Sequence, residues 1–310
     1  MFKRILVPLD GSPLAETALA PATTLAQRFS AELLLVRTIL VHAFPGVDTG
    51  SAQLEAMREA HAYLEQVSRR VKATGVVVET AIPYDTPATG ISDQAAFRHV
   101  DLIVMSTHGR KWVDALLHPS VTMQVLEHTS APILAWKHAE TADEYVDTPE
   151  LPYFLIDPTA PIVVPLDGSL LSESALPIAE GLSKSFGNPL MVVSVAERPY
   201  IHAGPFDYPA IVANADQAVI EQTQSYLKRK RQEIAGRGLR VEIESAIGTP
   251  AMSIEDCAQR HNAGLVVMAS HGRGGLGRWL IGSVAQQVLR DTETPVLLVR
   301  FHPTASDSGR

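Results

Sequence analysis

What the sequence has little of sets the first limits. It has a single cysteine, Cys257, in 310 residues. No internal disulfide or cysteine-rich metal centre can form, and a reducing cytoplasm is the expected location. Positive charge is also short: 26 Lys and Arg stand against 34 Asp and Glu, a formal net charge of −8. General nucleic-acid binding needs a basic excess to displace counterions, so nucleic acid is not an expected partner. No uncharged apolar run approaches the roughly 18 residues of a membrane span. The opening MFKRILVPLDGS stops being apolar at Asp10 and reads as a buried strand entering a turn, not as a leader. There is no Gly-Lys-Ser or Gly-Lys-Thr, so a Walker phosphate loop is excluded.

What the sequence does have, it has twice. RILVPLDGSPLAETAL, from Arg4, recurs as PIVVPLDGSLLSESAL from Pro161, and HVDLIVMSTHGR, from His99, recurs as NAGLVVMASHGR from Asn262. SAPILAW likewise returns as ETPVLLV. A repeat this long is a duplicated domain, not a solenoid unit. The expected division is residues 1–140, a connector at 141–160 rich in acid and proline, and residues 161–303.

Inside each copy, short β-branched runs such as ILVPLD and IVVPLD alternate with helical patterns. Runs apolar on both faces are strands of a parallel sheet covered on both sides. The fold class is therefore α/β: two tandem doubly wound domains, each with a mostly parallel five-stranded sheet. Ser12-Pro13 and Ser169 read as helix starts. Leu54, Met57, His61, Leu64, Val67 and Val71 read as one helix face, with Gly75 as its stop. PILAW and PVLLV would be free strand edges. They are expected to pair within one chain as a pseudo-dimer, with a homodimer also open.

The chemistry gathers in ASHGRGGLGRWLIGS. Gly272, Gly274, Gly275 and Gly277 carry no side chain, so backbone amides can approach an anion closely. Gly282 and Ser283 open a helix whose first amides and positive dipole end favour phosphate. The string Gly272-x-Gly274-x-x-Gly277 also fits a dinucleotide fingerprint, but it follows the fourth strand of its unit instead of the first. The glycines alone leave a merely flexible loop as an equal reading.

With the LDGS turn, these residues carry a resemblance. The chain resembles a tandem universal stress protein, two such domains covering nearly its whole length. That family's ATP signature is Gly, two residues, Gly, nine residues, then Gly-Ser or Gly-Thr. Here it reads Ala269-Ser270-His271-Gly272, nine residues, Gly282-Ser283, with Ala269 the one departure. The resemblance implies a cytoplasmic, regulatory ATP-binding protein of the stress response, its nucleotide held mainly by the C-terminal domain. Pro165, Leu166 and Asp167 would follow the first strand of the site, and Val195 would face adenine. Met268 and Ala269 would line base and ribose, while Gly272, Gly282, Ser283 and Val284 would take phosphates. Asp167 can accept from ribose hydroxyls or help hold magnesium beside ATP; as a turn residue it can equally cap the helix after it. ATP, with or without Mg, is the implied cofactor, and an unidentified protein the implied partner. No catalytic residue is assigned and no metal ligand is identified. Alternatives are an interaction scaffold that binds no nucleotide and a slow ATP-hydrolysing or nucleotidyl-transferring enzyme.

The first copy reads Ser106-Thr107-His108-Gly109, nine residues, Pro119-Ser120. Proline removes an amide donor, Asp114 brings negative charge and Trp112 brings bulk, offset in part by Lys111. Weak or no ATP binding is expected there. His108 and His271 read as turn residues, LKRKRQ at 227–232 as a solvated helix face, and Cys257 as an inert small residue. ERPYIHAGPFDYPAIVANAD reads as a long loop, a lid or a partner surface.

Overall fold

The computed structural model describes residues 1–40, 49–107, 121–137, 157–196, 208–270 and 281–300, with positions 49, 208–216 and 218 described by backbone alone. The chain divides into two compact units, Met1–Leu155 and Ile156–Arg310. The first runs β1 (Arg4–Pro8), α1 (Pro13–Glu16), α2 (Leu19–Phe29), β2 (Glu32–Val36), α3 (Thr49–Lys72), β3 (Val78–Ala81), α4 (Pro87–Phe97), β4 (Leu102–Thr107), α5 (Val121–His128) and β5 (Ile133–Lys137). The second repeats it as β6 (Ile162–Pro165), α6 (Leu170–Glu173), α7 (Leu176–Phe186), β7 (Leu190–Ala196), α8 (Tyr208–Ala235), β8 (Val241–Ile247), α9 (Pro250–Arg260), β9 (Leu265–Ala269), α10 (Ser283–Asp291) and β10 (Val296–Val299). All strand pairs within a unit are parallel, in the order β3-β2-β1-β4-β5 and, in the second, β8-β7-β6-β9-β10.

The central strands are unbroken apolar runs because both faces are covered. Ile5, Leu6 and Val7, like Ile162, Val163 and Val164, have no exposed surface. The outer strands β3 and β8 instead carry glutamates, at Glu79 and at Glu242 and Glu244, which suits the end of a sheet order.

Three details differ from the sequence reading. The helix after each LDGS is split. Thr17 and Ala18 donate three residues back, to the Leu14 and Ala15 carbonyls, as do Ser174 and Ala175 to Leu171 and Ser172. Such tight bonds end a turn of α-helix before α2 or α7 begins. Second, α3 buries Ala60, Leu64, Val67 and Val71, whereas Leu54, Met57 and His61 are exposed. The helix has 24 residues, about 36 Å, and crosses strands of four or five residues, roughly 13–17 Å long. Its first turns overhang the sheet, and no strand of the described residues lies beneath them. Third, the stretch read as a loop over 197–216 is helix from Tyr208 onward. Pro209 is its second residue, where a missing N–H costs nothing; residues 197–207 lie outside the described chain. Gly75 does stop α3, at φ 85°, and Gly238 stops α8 at φ 81°.

Candidate functional site

In each unit the strand order reverses beside the first strand, between β1 and β4 and between β6 and β9. An open parallel sheet binds ligands beyond the strand ends at such a point. In the second unit the gap has a local cause. The β6–β9 ladder consists of Ile162 with Leu265 and Val163 with Val266. Past it, β6 follows β7, Pro165 lying opposite Val193, and β9 follows β10, Ala269 opposite Val299. Pro165 has no N–H to extend the ladder, so the strands part into a crevice.

One lip is the LDGS turn. The Leu166 N–H donates to the Val193 carbonyl at 2.8 Å, and its side chain is buried. Gly168, at φ 84°, turns the chain through the left-handed region that favours glycine. Asp167 Oδ1 accepts the Ser169 N–H at 2.9 Å and its hydroxyl at 2.6 Å. Ser169 Oγ in turn accepts the Ser172 N–H at 3.1 Å, capping α6. The turn role weighed for Asp167 is therefore real, exercised through Ser169 by one carboxylate oxygen. In the first unit Asp10 accepts only the Ser12 N–H among the described bonds, at 2.8 Å, and is exposed.

Met268 and Ala269 form the other lip, buried at the end of β9. Ser270 donates its N–H to the Val299 carbonyl, and its own carbonyl accepts the Gly282 N–H, both at 2.8 Å. The two ends of the glycine loop are thus tied together. The Gly282 N–H is therefore engaged within the chain. Gly282 is the N-cap of α10, and no side chain caps the helix. The amides of Ser283 and Val284 open the helix there, Ser283 exposed and Val284 half-buried. Val195 is half-buried on β7, next to β6, opposite Ala246. The structure therefore brings Pro165, Leu166, Asp167, Val195, Met268, Ala269, Gly282, Ser283 and Val284 to the C-terminal ends of adjacent strands. Gly272, with the other loop glycines and His271, lies outside the described residues. So do His108, Gly109, Lys111, Trp112, Asp114 and Pro119 of the first copy.

Beneath the turn is a network absent from the sequence reading. Glu173, in α6, accepts the Tyr226 hydroxyl at 2.9 Å and the Lys230 ammonium at 2.8 Å, both from α8. Lys230 also reaches Glu233 at 2.9 Å. Lys230, at 12% exposure, corrects the reading of LKRKRQ as wholly solvated. Burial pushes the Tyr226 hydroxyl well above its usual range, helped by the bond to Glu173, by that carboxylate's charge and by the charge of Asp167. Burial alone would lower Lys230; its bonds to Glu173 and Glu233 outweigh that and raise it. The first unit has the same device: Glu16 accepts Tyr63 at 3.0 Å and pairs with Arg70. The signal was in the repeat, since Glu16 and Glu173 match, as do Tyr63 and Tyr226. The base was hidden because it shifts along the helix, from seven residues after the tyrosine to four.

One substitution separates the two units at this point. Where the second has Ser194, the first has Arg37. Its Nη1 lies 3.3 Å from where a Cβ on Gly11 would stand, and its Cζ is 4.8 Å from the Tyr63 ring centre.

The order of strands and its reversal beside the first strand define a doubly wound α/β protein. The chain belongs to the universal stress protein family, whose sequence profile matches residues 1–137 and 159–300. A universal stress protein of Mycobacterium tuberculosis is 28% identical, over 96% of this chain and 95% of its own. One from Methanocaldococcus jannaschii is 30% identical over 140 residues, 45% of this chain and 81% of that protein. In fold, the chain is similar to the crystal structure of a universal stress protein from Archaeoglobus fulgidus. The TM-score is 0.72 at 21% identity, with 96% of both chains covered. Among the described residues no helix is long and apolar enough to cross a membrane.

Proposed function

We propose that this protein is a regulatory ATP-binding member of its family and that the nucleotide is held mainly by the C-terminal unit. The observation that carries the reading is the pairing of two features across one crevice. Asp167 is fixed by Ser169 on one lip, and a helix start without a side-chain cap lies on the other. Uncapped first-turn amides suit an anion, and a carboxylate beside them suits ribose hydroxyls or a magnesium ion on the phosphates. Val195, Met268 and Ala269 supply the apolar wall that a purine needs.

Calorimetric titration of the full chain with magnesium and ATP tests it. About one tight site per chain is expected, and a slow phosphate release at most. Absence of binding, or two equal sites, would sink the reading. Gly282→Pro is the matching variant. Gly282 has φ −61° and ψ 145°, which proline tolerates, so the fold should persist. The amide bonded to Ser270 is lost, and the loop end with it. ATP affinity is expected to fall about tenfold, with an unchanged circular dichroism spectrum.

A further inference from the structure

Away from the crevice, on the outer strand β8 and the end of α9, three different ligand types converge. Glu244, Cys257 and His261 each offer one ligand atom, and those atoms all lie within 4.8 Å of one another. His261 Nε2 is 2.9 Å from Glu244 Oε2. Cys257 is fully buried and the other two are part-buried. We propose that Glu244, Cys257 and His261 form a binding site for one borderline divalent transition metal, zinc by the chemistry of the set, with a fourth position open to water or a partner's ligand.

The geometry needs little change. Tetrahedral zinc, with bonds of about 2.0–2.2 Å to nitrogen and oxygen, holds such ligand atoms roughly 3.3 Å apart. The Glu244–His261 separation is close to that already. Cys257 and His261 are four residues apart near the end of α9, so both side chains leave the same helix face. Glu244 comes from the neighbouring strand, so the site joins two elements. Arg260 grips the carboxylate with two donors, Nη2 to Oε1 at 2.5 Å and, more loosely, Nη1 to Oε2 at 3.2 Å, which orients it as an outer partner orients a metal ligand. Thiolate with imidazole selects zinc over magnesium or calcium.

The set belongs to one unit. At the repeat-equivalent positions the first unit has Ala81, Gln94 and Arg98, and Arg98 pairs with Glu79 at 3.3 Å. The metal site is also apart from the nucleotide site. α9 starts at Pro250, at the crevice end of β8, and Cys257 to His261 lie roughly 10–16 Å further along the helix.

The test uses cobalt as a spectroscopic stand-in for zinc on the full chain, stripped beforehand with a chelator. Cys257 is the chain's sole thiol, so a thiolate-to-cobalt charge-transfer band can come from no other residue. We expect that band at one equivalent of cobalt and its displacement by zinc. Cys257→Ser should abolish it, and His261→Ala should weaken zinc binding at least roughly tenfold. Cobalt bound without the band would place the metal elsewhere and overturn the proposal, as would no uptake by the folded protein. If either variant fails to fold, the wild-type spectrum alone decides.

Discussion

Replacing Tyr226 with Phe removes one hydroxyl, and its consequences can be followed atom by atom. Glu173 loses the bond at 2.9 Å but keeps Lys230 at 2.8 Å, so the cost is that of one hydrogen bond to a charged acceptor, about 1.5–3 kcal/mol. Glu173→Ala costs more, because it strands the buried Tyr226 hydroxyl and also removes one of the two carboxylates on Lys230, leaving Glu233 alone. Chemical denaturation should rank Glu173→Ala below Tyr226→Phe and both below wild type. The same contact fixes an alkaline limit. The folded Tyr226 hydroxyl titrates above its ordinary value of 10.0 because it is buried and bonded to Glu173. A group raised on folding contributes fully below its unfolded pKa and loses that contribution as pH climbs through the folded one. Stability from Tyr226 is therefore intact up to about pH 10 and declines above it. Tyr63, raised by burial and by Glu16, behaves alike. A spectrophotometric titration should show Tyr63 and Tyr226 ionising late or only on unfolding, with one late tyrosine fewer in Tyr226→Phe. Cys257 is the opposite kind of residue. Burial, with the Glu244 carboxylate beside it, pushes its thiol up to about 12, so without a metal it is a poor nucleophile, in line with the sequence reading.

Elements explain where sequence reasoning worked. Ser12 and Ser169 were legible as caps because capping is local chemistry: each hydroxyl accepts an amide three residues on, from Ala15 and Ser172. The buried strands were legible because parallel sheets demand unbroken apolar runs. The overhang of α3 was not, since Leu54 and Met57 fit the helical period and only the short strands beneath leave them exposed. Nor was the Glu173 network, which joins residues 53 and 57 positions apart. Of the candidate site, the placement of LDGS and of Met268 and Ala269 at strand ends was legible from the strand pattern, but the bond from Gly282 N–H to the Ser270 carbonyl was not, because the two lie across a loop. Ser169→Ala tests the cap at this scale. It removes the bond to the Ser172 N–H and one of two bonds to Asp167, so α6 loses about 1 kcal/mol and the carboxylate is held less firmly. A melting-temperature drop of a few degrees with weaker ATP binding is expected, whereas Ser12→Ala should lower stability alone.

For the whole molecule, duplication supplied two copies of one layout, and divergence then worked on their sites. In the second unit Asp167 is half-buried and accepts two hydrogen bonds from Ser169, and the shorter Ser194 stands at the arginine position. In the first, Asp10 is exposed and Arg37 lies over Gly11. A guanidinium is not hostile to phosphate, so charge alone would predict an anion in the first unit. What argues for the second is preorganisation: affinity comes from groups already fixed before the ligand arrives. Hydrogen exchange with ATP separates these views. Protection is expected in the LDGS turn at 166–170, at the end of β9 and across 282–285, where slowed amides report direct contact or a closed loop. The corresponding 9–13 and 105–107 should exchange at the same rate with and without nucleotide. Protection confined to the first unit would mean that Arg37, and not the uncapped helix start of α10, decides where the anion goes.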